Sequence, residues 1–402
     1  MFINIGIRHN LIYLLMLIII NLVKLTLLIL IEEYLYYADS HLTVFMMFLS
    51  EFICGLFLYK YKYNAHLFKK DSNKKDSSFK GIKLINTEEN IVNTKKPDST
   101  LKIYFLFIAI SFFDFYDTIF DSFYMPPLDD NISKSLYNRL QGILAIITGL
   151  LTYLFLKFPM HRHHKCSLVT ITICIIMIII FEYCIMIFTE RENSKNSIYK
   201  LSKILLFTLL NNFFWSMVSV IEKYLLEYDF VNYFQMLMYE GAFGLILSFI
   251  YLLFNKEVTY DEFKDLYDKY DKEHNKFKFI ILIIALLFYY FLLGALNGYR
   301  VIANKLYSPT SIALVYYIFC PYHILTSYFV KEDFQINGEQ NIFYLIFNLI
   351  ISIIFVFCGC VYNELFVLFC CNLEHETHSQ ISLRASFEKS IDEDIVDLEE
   401  IN

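Results

Sequence analysis

The chain has 402 residues, of which 57% are hydrophobic and 19% are charged, with a mean hydropathy of +0.47. Soluble globular domains carry about 25% charged residues, so this composition excludes an ordinary soluble domain and predicts a polytopic membrane protein. The net charge of −7 is concentrated in a few loops and an acidic tail, and nothing in it indicates a nucleic-acid partner. Several of the nine cysteines lie in apolar runs, which argues against a disulfide framework.

Ten apolar runs are long enough to cross the roughly 30 Å hydrocarbon core of a bilayer as helices. The predicted fold class is therefore an all-α polytopic membrane protein with ten transmembrane helices. In the fourth run, Gly142, Ala145 and Gly149 share one helical face and predict the close approach of another helix. The predicted spans are 11–31, 42–59, 101–124, 137–156, 166–188, 201–225, 233–254, 279–299, 309–330 and 342–370.

Two halves of five helices each are predicted, at 11–188 and 201–370. The segment LTYLFLK at 151–157 recurs as LTSYFVK at 325–331, in spans of opposite predicted orientation. Inverted repeats of this kind are a recurring plan of secondary transporters. The remaining segments are the N-terminus 1–10, a polar linker at 60–100, a charged loop at 255–277 that contains a predicted short amphipathic helix, and an acidic tail at 371–402.

The distribution of lysine predicts the orientation of the chain. Segment 60–100 carries ten lysines, whereas the loop 32–40 on the opposite side carries no lysine or arginine. Cytoplasmic loops carry the excess of basic residues, so both termini and segment 60–100 are expected in the cytosol, and loop 255–277 on the lumenal side. The expected location is an endomembrane of Golgi, ER or vacuole type, or the plasma membrane.

Short motifs in five places share their order with a known family. They are Met47, Phe48 and Glu51 in the second span, Asp114 in the third, Tyr137, Leu140 and Gly142 in the fourth, Glu240, Gly241, Phe243 and Gly244 in the seventh, and Tyr362, Asn363, Glu364 and Thr377 around the end of the tenth. They resemble the drug/metabolite transporter superfamily, in particular solute carrier family 35 of group F, and more distantly the chloroquine-resistance-transporter-like group. The resemblance implies ten helices in two inverted five-helix repeats, with Gln141 at the position of a family arginine.

Polar side chains inside apolar spans are the candidate site residues. A charge at bilayer depth costs about 2.5–3.5 kcal/mol and needs a partner or a cavity. Lys24 and Asp114 lie at similar predicted depth, where they form either an ion pair or part of a substrate path. The candidates for substrate or ion coupling are Lys24, Glu51, Asp114, Asp117, Asn138, Gln141, Asn211, Asn212, Glu240 and Asn297.

Other motifs favour no enzymatic role. The run HRHH at 161–164 admits a metal site, but a basic stop at the end of a span is the preferred interpretation, and no metal or other cofactor is expected. Cys370 and Cys371 are candidates for palmitoylation or are two membrane-buried thiols. No nucleotide-binding loop or metalloprotease motif occurs, so an enzyme is not expected.

A secondary transporter or exchanger of a small organic metabolite is therefore the expected function. Acidic residues outnumber basic ones within the spans, which favours a cationic or zwitterionic substrate such as an amino acid, peptide, amine or vitamin. A nucleotide-sugar antiporter and a non-transporting receptor or scaffold are the alternatives. The expected partners are the solute, the lipid bilayer, protons as a coupling ion and a second copy in a homodimer.

Overall fold

A computed structural model of the chain is predominantly helical. In lipid, a helix is one of the few structures that satisfy every backbone hydrogen bond internally, so long apolar runs fold in this way. The structure describes residues 3–5, 11–35, 41–72, 100–120, 136, 139–140, 142–189, 194–256, 259–262, 264, 267–268, 276–329, 335–336, 339–340, 342–368, 377 and 380.

The helices are numbered here so that the ninth, which is interrupted, has two parts. They are α1 (Leu11–Leu35), α2 (His41–Ser72), α3 (Thr100–Ile119), α4 (Gly142–Leu156), α5 (Arg162–Thr189), α6 (Ser194–Glu227), α7 (Tyr233–Phe254), α8 (Lys276–Leu306), α9a (Pro309–Val315), α9b (Cys320–Phe329) and α10 (Ile342–Tyr362). The short strands are β1 (Ile3–Ile5), β2 (Gln335–Ile336), β3 (Glu339–Gln340) and β4 (Phe366–Leu368).

Six of these helices, α2, α5, α6, α7, α8 and α10, are long and apolar enough to cross a membrane, judged by length and composition. Two shorter apolar helices are Leu15–Ile31 and Gly142–Leu156. Large apolar side chains are exposed along α5, α8 and α10, as expected for surfaces that face lipid. The predicted helical, multi-pass membrane protein is confirmed at this level.

Several predicted boundaries differ from the observed ones. The ninth span is not one helix, because a 3₁₀ turn at Tyr316–Phe319 separates α9a from α9b. Pro321, in the first turn of α9b, has no backbone N–H to continue the preceding helix. Helix α2 continues to Ser72, into the predicted linker. Of loop 255–277 the structure describes a helical segment at 259–262, where Glu262 accepts a hydrogen bond from the backbone N–H of His41.

The tenth helix ends at Tyr362, earlier than predicted, because the chain turns there in a left-handed conformation. The backbone N–H of Leu365 donates to Cys360 O at 2.9 Å, and that of Glu364 donates to Val361 O at 3.1 Å. This pair of bonds is the Schellman motif, whose left-handed position is usually occupied by glycine. Glu364 holds it with φ 56°, at a cost of roughly 1–2 kcal/mol.

The chain divides into two compact units, each built from separate stretches of sequence. The first unit contains Met1–Leu14, Leu128–Phe213 and Pro309–Asn402, and the second contains Leu15–Pro127 and Phe214–Ser308. Helices α4, α5, α9a, α9b and α10 therefore belong to the first unit, and α2, α3, α7, α8 and the second part of α6 to the second.

In the second unit, α2 packs antiparallel against α7 through glycine residues. A Cβ placed on Gly241 would lie 2.5 Å from the backbone nitrogen of Phe52, and one on Gly55 would lie 2.6 Å from that of Met238. Only glycine permits two backbones to approach this closely.

Two other helix pairs in the second unit run parallel. Helix α8 packs along α2, where the Tyr290 hydroxyl donates to Thr43 Oγ1 at 3.2 Å and Asn297 bonds to Glu51 farther along both helices. Helix α3 packs along α7, where the rings of Phe107 and Tyr239 and then those of Phe115 and Tyr251 meet, with centroids 4.9 Å and 5.8 Å apart.

In the first unit, α4 packs antiparallel against α9a, and α5 packs antiparallel against α10. The Tyr317 hydroxyl donates to Gly142 O at 2.9 Å and accepts from the backbone N–H of Ala145 at 3.1 Å. Gly149 faces Leu168 of α5 and Thr310 of α9a. The predicted small face of the fourth span is thus confirmed as a place of close helix packing.

The first unit also brings together the two ends of the helical part of the chain. Strand β1 pairs antiparallel with β4, with Ile3 opposite Leu368 and Ile5 opposite Phe366. The segment that precedes α1 and the segment that follows α10 are therefore neighbours.

Candidate functional site

Four buried carboxyl groups surround one arginine in the second unit. They are Glu51 of α2, Asp114 of α3, Glu222 of α6 and Glu240 of α7, and the arginine is Arg300 of α8; we call them the carboxylate cluster. None of these residues is more than 5% exposed. Each lies within a predominantly apolar helix, and all five side chains are buried.

Arg300 lies between two of the glutamates. Its Nη2 is 2.8 Å from Glu222 Oε1 and 3.1 Å from Glu240 Oε1. It also interacts electrostatically with Asp114 and Glu51. One guanidinium group is therefore the counter-charge of four carboxyl groups.

Two asparagines of α8 donate hydrogen bonds to glutamates of the cluster. Asn297, Arg300 and Asn304 are spaced i, i+3 and i+7, which places them on one face of α8. Asn304 donates to Glu222 Oε2 at 2.8 Å and to Ser219 O at 2.7 Å. Asn297 donates to Glu51 Oε1. Amide groups supply hydrogen bonds but no charge, so the cluster still has four carboxyl groups and only one basic group.

Three carboxylate oxygens of the cluster have neither a hydrogen bond nor an ion pair in the described part of the chain, whereas Glu222 Oε1 has the ion pair with Arg300. The three oxygens are Glu51 Oε2, Asp114 Oδ2 and Glu240 Oε2. A buried ion without compensation costs several kcal/mol. The cluster is consequently suited to take up positive charge, either as protons on the carboxyl groups or as a bound cation.

Helix α3 is positioned at the cluster by Ser111. Its hydroxyl lies 3.0 Å from the backbone oxygens of both Phe107 and Glu240, which ties α3 to α7 one turn before Asp114. Asp114 makes no salt bridge with Lys24 among the described residues, and its electrostatic partner is Arg300. The ion pair considered for Asp114 and Lys24 is therefore not formed, and Arg300 takes the place of Lys24.

The first unit contains a second buried polar group, which is electrically balanced. Arg139 pairs with Glu182 and donates to Asn348 Oδ1 at 3.2 Å. The Tyr344 hydroxyl lies 2.6 Å and 2.7 Å from the two oxygens of Glu182. One arginine and one glutamate neutralise each other here, so this group connects α5 to α10 as a structural element.

The remaining predicted site residues are distributed as follows. Asp117 lies half-buried one turn after Asp114, and Lys24 is half-buried in α1. Asn211 and Asn212 are buried in α6 within the first unit, and the Asn212 side chain donates to Thr208 O at 2.8 Å. Asn138, Gln141, Cys370 and Cys371 lie outside the described residues.

The candidate residues chosen from the sequence did not include Glu222, Arg300 or Asn304. A signal for two of them was present, because Asn297, Arg300 and Asn304 form a polar stripe along an apolar helix. Glu222 lies beside Lys223 near the end of α6, where a charged pair resembles an ordinary helix end.

No protein-family model matches the sequence, and no curated protein matches it. The chemistry of the carboxylate cluster is therefore the observation from which a function is proposed.

Proposed function

We propose that this protein is a secondary transporter that moves a small cationic or zwitterionic organic solute by alternating access, with protons as the coupling ion. The carboxylate cluster carries the proposal. It places four carboxyl groups against one arginine inside apolar helices and leaves three oxygens unpartnered within the described residues. Ionisable groups at membrane depth are typical of substrate paths and proton relays.

The state of the buried arginines favours a cation over an anion. Phosphate or nucleotide-sugar recognition uses basic groups that are available for charge-assisted hydrogen bonds. Arg300 is engaged by Glu222 and Glu240, and Arg139 is engaged by Glu182. The nucleotide-sugar alternative is therefore the weaker one.

Helix packing supports two inverted repeats, α1 to α5 and α6 to α10. Helices α2 and α7, α4 and α9, and α5 and α10 pack as antiparallel pairs, and the members of each pair are five helices apart. The parallel pair α2 and α8 has its counterpart in the parallel pair α7 and α3. A two-fold axis in the membrane plane exchanges helices in this way and reverses their direction.

A second sequence echo supports the same repeat. The segment FMMFLSEFICGLFL at 45–58 aligns without a gap with FQMLMYEGAFGLIL at 234–247. In this register Phe52 corresponds to Gly241, and these two residues contact each other where α2 meets α7. The identical positions are Phe45 and Phe234, Met47 and Met236, Glu51 and Glu240, Gly55 and Gly244, Leu56 and Leu245, and Leu58 and Leu247.

The number of crossings is proposed to be ten. Besides the six long apolar helices, α1, α3, α4 and the interrupted α9 occupy the positions that the repeat requires. The pairing of β1 with β4 requires an even number of crossings between them. With the lysine-rich segment 60–100 on the inner side, both ends of the helical part are proposed to be cytosolic.

Uptake into proteoliposomes tests the function. We expect uptake of probes such as putrescine, arginine or thiamine, no uptake of UDP-glucose, and a rate that depends on pH. Glu51→Gln retains an oxygen acceptor for Asn297 but removes a charge from the cluster, so it should abolish or greatly slow uptake. The matched control is Glu227→Gln, because Glu227 is 35% exposed and pairs with Lys223 away from the cluster.

Each outcome distinguishes the alternatives. Uptake of UDP-glucose with no uptake of amines would favour the nucleotide-sugar antiporter. If no probe enters although the purified protein is folded, a receptor or scaffold becomes the better interpretation. Wild-type uptake by Glu51→Gln would exclude Glu51 from the site.

A further inference from the structure

Two histidines and one glutamate converge at one end of the first unit, far along the helices from the pair formed by Glu182 and Tyr344. His163 and His164 are in the first turn of α5, and Glu364 follows the end of α10. Ligand atoms of the three side chains all lie within 4.8 Å of one another, and His163 Nε2 is 3.4 Å from Glu364 Oε1. His163 and Glu364 are buried, and His164 is half-buried.

Of these three residues, His163 has buried ring nitrogens that lack hydrogen-bond partners among the described residues. Its side chain is 4% exposed, and neither ring nitrogen makes a hydrogen bond in the described part of the chain. Buried polar atoms are nearly always hydrogen-bonded, so a buried imidazole with two unsatisfied nitrogens requires an explanation. A metal ion on one nitrogen would supply part of it, because neutral imidazole is the commonest metal ligand in proteins.

His164 is oriented by its neighbours. Its Nδ1 accepts a bond from the backbone N–H of His161 at 3.3 Å, and its ring stacks on Tyr362 with centroids 4.3 Å apart. A ring nitrogen that accepts a hydrogen bond carries no proton, so Nδ1 has the lone pair that a metal requires, and a metal at Nδ1 would replace this bond. The stacking on Tyr362 holds the ring in one orientation.

Glu364 is held towards the histidines by an unfavourable backbone. It occupies the left-handed position of the helix end, with φ 56°, where glycine is the common residue. Strained conformations of this kind occur at sites where the side chain has a function. From this position the Glu364 carboxylate reaches His163, with Oε1 3.4 Å from Nε2.

We propose that His163, His164 and Glu364 bind a divalent transition-metal ion, with Zn²⁺ as the best match. Two imidazole nitrogens and one carboxylate oxygen are a known zinc ligand set, with bonds of about 2.0–2.2 Å. Tetrahedral ligands at that bond length lie about 3.3 Å apart, close to the separation already present between His163 and Glu364. A water molecule or His161, whose ring centroid lies 5.4 Å from that of His164, completes the coordination.

The metal would connect α5 to α10 at one end of this antiparallel pair. The buried pair of Arg139 and Glu182 connects the same two helices farther along, through Tyr344 and Asn348. A ligand that binds only the folded state stabilises it in proportion to its concentration and affinity. The metal would therefore add to the stability of the fold, and this effect does not depend on the proposed transport function.

Metal content and thermal stability of the purified full-length protein test the site. After treatment with a chelator and titration with ZnCl₂ against a chromophoric zinc indicator, the wild type should bind one tight equivalent and show a higher apparent Tm. His163→Gln and Glu364→Gln should each lose that equivalent and the Zn²⁺-dependent rise in Tm. The matched control is His41→Gln, because His41 also pairs with a glutamate, Glu262, at 2.7 Å.

A further variant separates the metal site from a simple ion pair. Glu364→Gly removes the carboxylate and also relieves the left-handed backbone, so without Zn²⁺ its Tm should equal or exceed that of the wild type. With Zn²⁺ it should show no further rise. Tight zinc binding that persists in both His163→Gln and Glu364→Gly, or a wild type that binds no tight zinc, would overturn the proposal.

Discussion

Arg300 supplies the positive charge that stabilises the buried carboxylate cluster. It is the only basic side chain among the described residues that contacts the glutamates of the cluster, at 2.8 Å and 3.1 Å. Removal of one partner of a buried ion pair is far more harmful than replacement of the whole pair, because the remaining charge stays buried and uncompensated. The cluster is thus stabilised by a single cation and is poised to accept more positive charge.

Arg300→Met is expected to destabilise the protein by about 3–5 kcal/mol, since it leaves carboxylates in an apolar interior without a counter-charge. Folded yield and apparent Tm after purification in detergent would measure the loss. The control is Lys305→Met, which makes the same change at an exposed position on the same helix. The double variant Arg300→Met with Glu240→Gln should recover part of the lost yield, and the absence of any recovery would contradict the pairing.

At the scale of helices, glycines decide how closely α2 and α7 pack. A side chain at Gly55 or Gly241 would meet backbone atoms of the facing helix, which cannot move aside as a flexible side chain can. Overpacking usually costs about 1–3 kcal/mol, and obstruction by backbone belongs at the upper end of that range.

Gly241→Ala and Gly55→Ala are therefore expected to lower the apparent Tm and the folded yield. Gly298→Ala is the matched control, because the nearest atom to its new Cβ would be a methyl group of Leu237 at 3.5 Å, an ordinary contact. Equal stability of all three variants would show that α2 and α7 do not approach as described.

Much of the helix pattern could be predicted from the sequence, because apolar length alone forces a helix in lipid. The ends of helices were less predictable. The interruption at Tyr316–Phe319 depends on local bonding around Pro321, and the end of α10 depends on a left-handed Glu364 that resembles no common stop signal.

For the candidate site, individual polar residues were predictable and their partners were not. Glu51, Asp114, Glu240 and Asn297 stand out in apolar runs. The structure brings the three carboxyl groups into the carboxylate cluster, and Asn297 donates a hydrogen bond to one of them. Arg300 was not chosen as their partner, because the pairing depends on contacts among helices that are far apart in sequence. The histidine run at 161–164 was interpreted as a basic stop, since Glu364 is distant in the sequence and only folding brings it to His163.

At the scale of the whole molecule, the proposed repeat accounts for two of the glutamates in the cluster. Glu51 and Glu240 occupy equivalent positions of the two aligned segments, and both contribute an unpartnered oxygen to the cluster. Alternating access in repeat-built transporters moves one set of helices against another around a fixed site. Protons or a cationic solute that bind at such a site would alternate in their access to the two sides.

The central claim is that the carboxylate cluster couples solute movement to positive charge, and gradient-driven uptake tests it most directly. Proteoliposomes would be given a pH gradient and the radiolabelled amine or amino acid that enters fastest, with wild type and Asp114→Asn compared in parallel. Asp114 has an unpartnered oxygen in a cluster where carboxyl groups outnumber basic groups. Removal of its charge should therefore leave folding intact. We predict that the wild type accumulates the solute above equilibrium, and that Asp114→Asn retains solute counterflow but loses accumulation. Undiminished gradient-driven accumulation by Asp114→Asn, at the wild-type dependence on pH, would contradict the account.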